Sequence, residues 1–395
     1  MESDNTRCSL INAVYYPSWR VYHGFPPSSL QIERIDRVCY AFLRLNTDGT
    51  LRPLDKHADD VIEVDGERGC LAALGRLKEH YPRLARKKKR NGGDDEGDEG
   101  DEGGEKQPRL QTMVSIGGGG GSTEFPEMAL DPIRRATFAA ACRAFVDAHG
   151  LDGVDIDWEH PSTPEQGANF IALLTALRAA LPATRYLLST SLPIDLSCLR
   201  NISVPKAGQL LDNINLMGYD FSGPWTNVAG NQAQLYTHGA NTHARPSTSV
   251  QQGVGFLTAQ GFPPRKILLG IPAYARVFYG AEAPGQSYHG VAEVEYKDIP
   301  AHYIRDARVD YILGAASYVG RLGHFQGPEH TTRDGAEHGF FSFDVPETVR
   351  LKAEYVKQQG LGGLFYWHGV GDLASGKESL VYTGWESLNN KMELS

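Results

Sequence analysis

Short runs of β-branched, aliphatic and aromatic residues alternate along the chain with longer stretches whose apolar positions recur at helical spacing. The runs at 10–16, 37–45, 110–116, 151–158, 186–191, 212–219, 266–271 and 361–367 predict eight strands. Helix signals stand between them. Asp131-Pro132 opens one helix that Gly150 closes, and Thr163-Pro164 opens another that stops before Pro182. In the second, Phe170, Leu173, Leu174, Leu177 and Leu181 fall on one stripe. Strands apolar enough to be covered on their outer faces and separated by helices predict an α/β fold, a closed (β/α)8 TIM barrel, with an open doubly wound sheet as the runner-up. Between the seventh and eighth runs lie about 90 residues, too many for one βα connection. An insertion at 280–340 is expected there, within a discontinuous barrel formed by 9–279 and 341–390.

One stretch breaks the alternation. Residues 86–107 read RKKKRNGGDDEGDEGDEGGEKQ, without an apolar side chain to join a core, and predict a disordered charged loop. Its six bases and eight acids contribute only −2 to the net charge of −9, so most of the acidity belongs to the globular body. The 395 residues are 41% hydrophobic and 22% charged, a composition that excludes collagen-like and fully disordered chains. An excess of 48 acidic over 39 basic residues argues against a nucleic-acid partner. No apolar run approaches about 18 residues, so no membrane partner is expected. The start Met1-Glu2-Ser3-Asp4-Asn5 carries acids where a secretory signal carries positive charge, which predicts a cytoplasmic protein; leaderless export or a truncated gene model are the alternatives. Cys8, Cys39, Cys70, Cys142 and Cys198 are odd in number and form no CxxC pair, so reduced thiols are expected rather than disulfides or a zinc site. Gly117 to Gly121 lack the Gly-Lys-Ser/Thr of a phosphate loop, and the 13 histidines include no HExxH. Neither a metal nor a cofactor is expected.

The chemistry concentrates in the fourth run, LDGVDIDWEH. Side chains on a strand alternate, so Asp155, Asp157 and Glu159 share one face while Val154, Ile156 and Trp158 share the other. Facing the interior of a barrel, the carboxylates climb toward the C-terminal rim, where barrel active sites lie. Their Cα atoms are about 6.6 Å apart along the strand, and three acids so placed in a partly dry interior cannot all ionise. A proton shared by Asp155 and Asp157, with Glu159 raised into the role of general acid, would suit glycoside hydrolysis. A satisfied hydrogen-bond network of acids and a Mg²⁺ or Ca²⁺ site are the competing readings.

This stretch resembles the signature of glycoside hydrolase family 18 proteins of the chitinase type. Asp152-Gly-Val-Asp155-Ile-Asp157-Trp-Glu159 matches DGxDxDxE, Ser115-Ile-Gly-Gly118 matches SxGG, and Met217-Gly-Tyr219-Asp220 matches MxYD. Gly363 to Trp367 match the eighth strand with its terminal Trp. The resemblance spans nearly all of the chain except the charged loop. It implies a chitinase acting on chitin or N-acetylglucosamine oligosaccharides, without a cofactor, as a monomer. The implied mechanism is retaining and substrate-assisted: Glu159 protonates the glycosidic oxygen, the sugar's own acetamido carbonyl attacks C1, Asp157 orients the acetamido N–H with Asp155 adjusting its protonation, and Tyr219 hydrogen-bonds the acetamido oxygen. Trp367 would floor the site. Tyr15, Phe42, Gly118, Met217, Asp220, Tyr274 and Arg276 match substrate-binding positions, and Trp19 and Trp225 match rim aromatics. The segment at 280–340 would be a small α+β subdomain walling the groove. Gly119 departs from the Trp that many relatives carry after SxGG, and Ala275 from a usual Gly. An endo-β-N-acetylglucosaminidase acting on N-glycan cores and a non-catalytic chitin-binding lectin are the alternatives; lectin-like relatives lose the general acid, and Glu159 is present here.

Overall fold

Each of the eight apolar runs forms a strand in the computed structural model, which describes residues 10–90, 109–237, 248–321 and 338–390. They are β1 (Ile11–Pro17), β2 (Arg37–Leu45), β3 (Gln111–Gly117), β4 (Gly153–Asp157), β5 (Leu187–Pro193), β6 (Asn213–Met217), β7 (Ile267–Pro272) and β8 (Gly363–Trp367). Every neighbouring pair is parallel, and β1 pairs with β8 as well as β2, Ile11 lying opposite Gly363 and Val14 opposite Tyr366. The ring is therefore closed, and the fold is the (β/α)8 barrel.

The period-2 pattern divides the apolar residues into two cores. Val14, Tyr16, Val38, Tyr40, Val154 and Ile156 face outward into the layer shared with the helices, whereas Ala13, Tyr15, Cys39, Met113, Leu268 and Phe365 fill the barrel interior. On β2 the register toward β3 shifts between Ala41 and Leu43, and Ala41 and Phe42 both join the inner group.

Helix Pro132–Ala148 begins where Asp131 Oδ1 accepts the amides of Ile133 and Arg134 at 2.7 and 3.2 Å. Helix Pro164–Ala180 begins where Thr163 Oγ1 accepts the Gln166 amide at 3.2 Å. Each cap contributes about 1 kcal/mol. The stripe Phe170, Leu173, Leu174, Leu177 and Leu181 is completely buried. Trp158, on the outer side of the β4 terminus, stacks on Phe125 at 5.3 Å and meets Phe170 edge-on at 6.0 Å. That wedge fixes the residues on either side of it, Asp157 and Glu159.

A five-stranded antiparallel sheet lies between β7 and β8, in the order Gly290–Glu295, Tyr274–Tyr279, His338–Phe343, Ala315–Arg321, Arg308–Asp310, with the short helix Ala301–Arg305 beside it. Its limits differ from 280–340. Tyr274–Tyr279 continues the apolar run of β7 and reads as barrel in the sequence. Pro272 is the last β7 residue paired to β8, and from Tyr274 onward the chain pairs antiparallel with its own insertion. Residues 274–279 and 341–343 thus leave the barrel.

The charged segment also needs redrawing. Helix Cys70–Arg90 runs through the basic block, since lysine and arginine are good helix formers; 91–107 lie outside the described residues, as does Cys8. Cys39, Cys70, Cys142 and Cys198 are buried free thiols. No helix among the described residues is long and apolar enough to cross a membrane.

Candidate active site

Parallel register brings polar side chains of several strands to one level inside the barrel. Asp155 on β4 stands opposite Ser115 on β3 and Ser189 on β5, and Ser191 stands opposite Asn215 on β6. The Asp155 carboxyl, fully buried, accepts hydrogen bonds from Ser189 Oγ at 2.6 Å, Tyr15 Oη at 2.8 Å, Ser115 Oγ at 2.8 Å and Asn215 Nδ2 at 3.2 Å. Burial raises its pKa, and these hydroxyl donors offset only part of that rise. The network suits an ionised carboxylate.

Asp157, two residues higher, has a different environment. Its Oδ1 is buried without a hydrogen-bond partner among the described residues. Burial first, then the charges of Glu159 and Asp155, push its pKa well above the usual carboxylate range, with Arg44 opposing. The charged form of Asp157 is thus disfavoured. The sequence suggests a proton shared by Asp155 and Asp157; no hydrogen bond joins the two carboxyls here, where hydroxyl and amide donors occupy Asp155.

β4 ends at Asp157, and Glu159 lies just beyond it at the rim, its amide donating to Ser122 Oγ at 2.9 Å. Burial, followed by the charge of Asp220, raises the Glu159 carboxyl to about 7. A group with that pKa can both give and take a proton near neutrality. Asp220 sits past the end of β6 in the left-handed region, φ 61°. That turn delivers it to Arg276, whose Nε and Nη2 both reach Asp220 Oδ1 at 2.9 Å.

Tyr219 is half-buried above β6, edge-on to Phe365 and to Tyr274, each at 6.2 Å. A Cβ on Gly270 of β7 would stand 2.7 Å from the Tyr219 ring, so glycine there leaves the ring its place. Burial and the surrounding acids raise the phenol well above its ordinary pKa, which keeps it a hydrogen-bond donor. Trp367 closes the other side at the end of β8, stacked on Phe42 at 5.6 Å and edge-on to Tyr15 at 5.6 Å. A pocket of about 140 Å³ opens among these groups.

The pocket brings together Asp157, Glu159, Tyr219, Asp220, Met217 and Trp367, with Tyr15 and Phe42 in its wall. Asp155 lies beneath it. Gly118 supports the wall: it has φ +81°, a Cβ there would stand 2.7 Å from the Phe42 ring, and its amide donates to Asp157 O at 2.8 Å. Tyr274 and Arg276 do not line the pocket, and act on it through Tyr219 and Asp220. Trp19 stacks on Phe42 at 6.2 Å and lies 6.5 Å from Trp367, at the edge. Trp225 is 58% exposed, with the Arg276 guanidinium 5.3 Å from its ring centroid. Sequence reasoning placed Ser115 in the SxGG match without a role, and missed Ser189, Ser191 and Asn215. The signal lies in LLSTSLP and NINLM, where Ser189 and Ser191, and Asn213 and Asn215, recur two apart and so share one strand face. Among the described residues, no group of three or more His, Cys, Asp or Glu is arranged to hold a metal ion.

Comparison with known proteins agrees with this architecture. Chitinase 1 of Aphanocladium album is 30% identical over 399 residues, covering 96% of this chain and 86% of the relative. Among solved structures, the Ostrinia furnacalis Group IV chitinase superposes with a TM-score of 0.76 at 24% identity, covering 96% of this chain and 100% of that one. A plant class V chitinase mutant from Cycas revoluta in complex with (GlcNAc)3 gives a TM-score of 0.69 at 22% identity, covering 95% and 99%. Residues 11–372, from the first barrel strand to beyond the last, match the Glycosyl hydrolases family 18, and the chain belongs to that family.

Proposed function

We propose that this protein is a chitinase that hydrolyses β-1,4 linkages between N-acetylglucosamine units with retention of configuration, the substrate's acetamido group serving as nucleophile. The observation that carries this reading is the division of labour among the acids. A conventional retaining enzyme keeps a second free carboxylate about 5–5.5 Å from the acid. Here Asp155 is sealed beneath the pocket by its donors, Asp220 is held by Arg276, and burial beside Glu159 and Asp155 disfavours the charged form of Asp157. The attacking group then has to come from the sugar.

In this reading Glu159 protonates the departing glycosidic oxygen as the acetamido carbonyl closes on C1, giving an oxazolinium intermediate. The partnerless oxygen of Asp157 receives the acetamido N–H, and the phenol of Tyr219 donates to the acetamido oxygen. Both interactions hold the group in its attacking geometry. Trp367 offers its ring face to the same sugar. Glu159, now ionised, accepts a proton from the water that opens the intermediate.

Product release from N-acetylglucosamine oligomers of defined length, compared with fully deacetylated oligomers, tests the reading. Only the acetylated chains should be cut. Equal rates on both would remove the substrate's role as nucleophile, and a wild-type rate in Glu159→Gln would remove the acid assignment.

A further inference from the structure

The mouth of the barrel holds a cation that the chemistry above leaves unused. Arg44 lies two residues after Phe42 on β2, and its guanidinium rests on the glycine run, Nη1 donating to Gly117 O at 2.6 Å. The run is shaped to receive it: a Cβ at Gly121 would overlap Nη1, and one at Gly120 would stand 3.5 Å from Nη2. No carboxylate comes within 4.0 Å of this guanidinium among the described residues, and Glu124, the acid whose charge is felt there most, pairs with Arg52 at 3.7 Å. A guanidinium has five N–H donors, so most of these have no acceptor among the described residues.

Its location singles out one side of the cleavage point. A Cβ at Gly119 would stand 3.6 Å from Glu159 Oε2, so the run borders the proposed acid itself. Phe42 separates the run from Trp367: its ring stacks on Trp367 at 5.6 Å and also meets Gly118. Phe42 thus touches both the Trp367 ring that would floor the cleaved sugar and the glycine run that carries Arg44, and Glu159 borders the same run, on which the next sugar would rest.

We propose that Arg44 is a specificity-determining contact for the departing sugar, donating hydrogen bonds to its oxygen atoms and favouring a leaving end that carries negative charge. This rests on the reading of Glu159 as general acid. Guanidinium donors recognise carboxylates in particular, through paired and charge-assisted hydrogen bonds.

The test uses the whole enzyme and N-acetylglucosamine oligomers whose reducing end is converted either to the neutral alditol or to the aldonate carboxylate. Both ends are open-chain, and charge is the principal difference between them. For release of the modified end, the wild type should show a KM for the aldonate lower than for the alditol by on the order of threefold to tenfold at low salt. High salt should narrow the gap as screening sets in. Arg44→Gln should erase the gap, and Arg44→Lys should keep it. Equal KM values in the wild type, or an undiminished gap in Arg44→Gln, overturn the proposal. Where the glutamine variant fails to fold, Gly120→Asp sets a carboxylate beside Nη2 and neutralises it in place; loss of the gap supports the proposal and its persistence overturns it. Glu159→Gln serves as the separate control on the acid assignment, because the ratio of the two KM values does not depend on the absolute rate.

Discussion

Tyr15 donates its hydroxyl to Asp155 at 2.8 Å across the barrel, and the same oxygen receives Asn215 Nδ2 at 2.7 Å. One phenol thus ties β1 to β4 and β6 at the level of the lowest acid. In Tyr15→Phe, Asp155 loses a donor and the Asn215 amide loses an acceptor, both in a fully buried setting. Thermal unfolding should show a loss of about 1–3 kcal/mol. The Asp155 pKa should rise, and kcat should fall with little change in KM.

If the proposed mechanism holds, Glu159 sets the alkaline limb of the activity. With the carboxyl at about 7, kcat/KM should decline as pH rises through that value, because the acid form is required. Stability follows the same sign. The folded pKa lies above the unfolded value of about 4.3, so the folded state holds the proton more tightly, and this group's contribution is full below pH ~4 and lost as pH rises through about 7. Glu159→Gln should therefore be more stable than the wild type at pH 8 and gain little at pH 4. Paired melting curves at the two pH values check it.

Asp220→Asn removes the charge that contributes most, after burial, to the raised Glu159 pKa. Asparagine tolerates the left-handed backbone at φ 61°, so the turn should survive. The alkaline limb of the kcat/KM profile should move below 7, and an unmoved limb would show that burial alone sets it.

Lys352 and Asp344 form an ion pair at 2.6 Å with side-chain exposures of 0% and 2%. Lys352→Met leaves the carboxylate buried without its cation and should destabilise the fold by about 3–5 kcal/mol. Adding Asp344→Asn to that variant should recover part of the loss, which a denaturant titration of the three proteins measures.

The barrel was legible in the sequence because each strand repeats one message: apolar outward for the helices, and small, aromatic or acidic inward. The acid ladder was legible for the same reason, since Asp155, Asp157 and Glu159 lie on one continuous strand and its rim. What the sequence left out is what depends on register between strands. Ser189 reaches Asp155 because β5 aligns there with β4, and Asn215 because β6 aligns with β5; no spacing within a single segment encodes those levels. The unlike settings of the two aspartates stay hidden for that reason: without those donors, Asp155 and Asp157 look equivalent. Arg276 posed the opposite difficulty, a local apolar run that continues β7 in composition while its hydrogen bonds belong to another sheet.

That change of sheet governs how the protein can be taken apart. The two chain crossings between barrel and insertion are the strands Tyr274–Tyr279 and His338–Phe343, which pair with each other inside the five-stranded sheet. Excision at 280 and 340 would strip away the flanking strands and half of His338–Phe343, leaving Tyr274–Tyr279 with unpaired edges, open to aggregation. Excision at 273 and 344 would spare the edges but remove Arg276, and Asp220 with it would lose its partner. The insertion is consequently not a detachable accessory: any transplant of this sheet onto another barrel has to carry its inner strand and the Arg276 contact along with it.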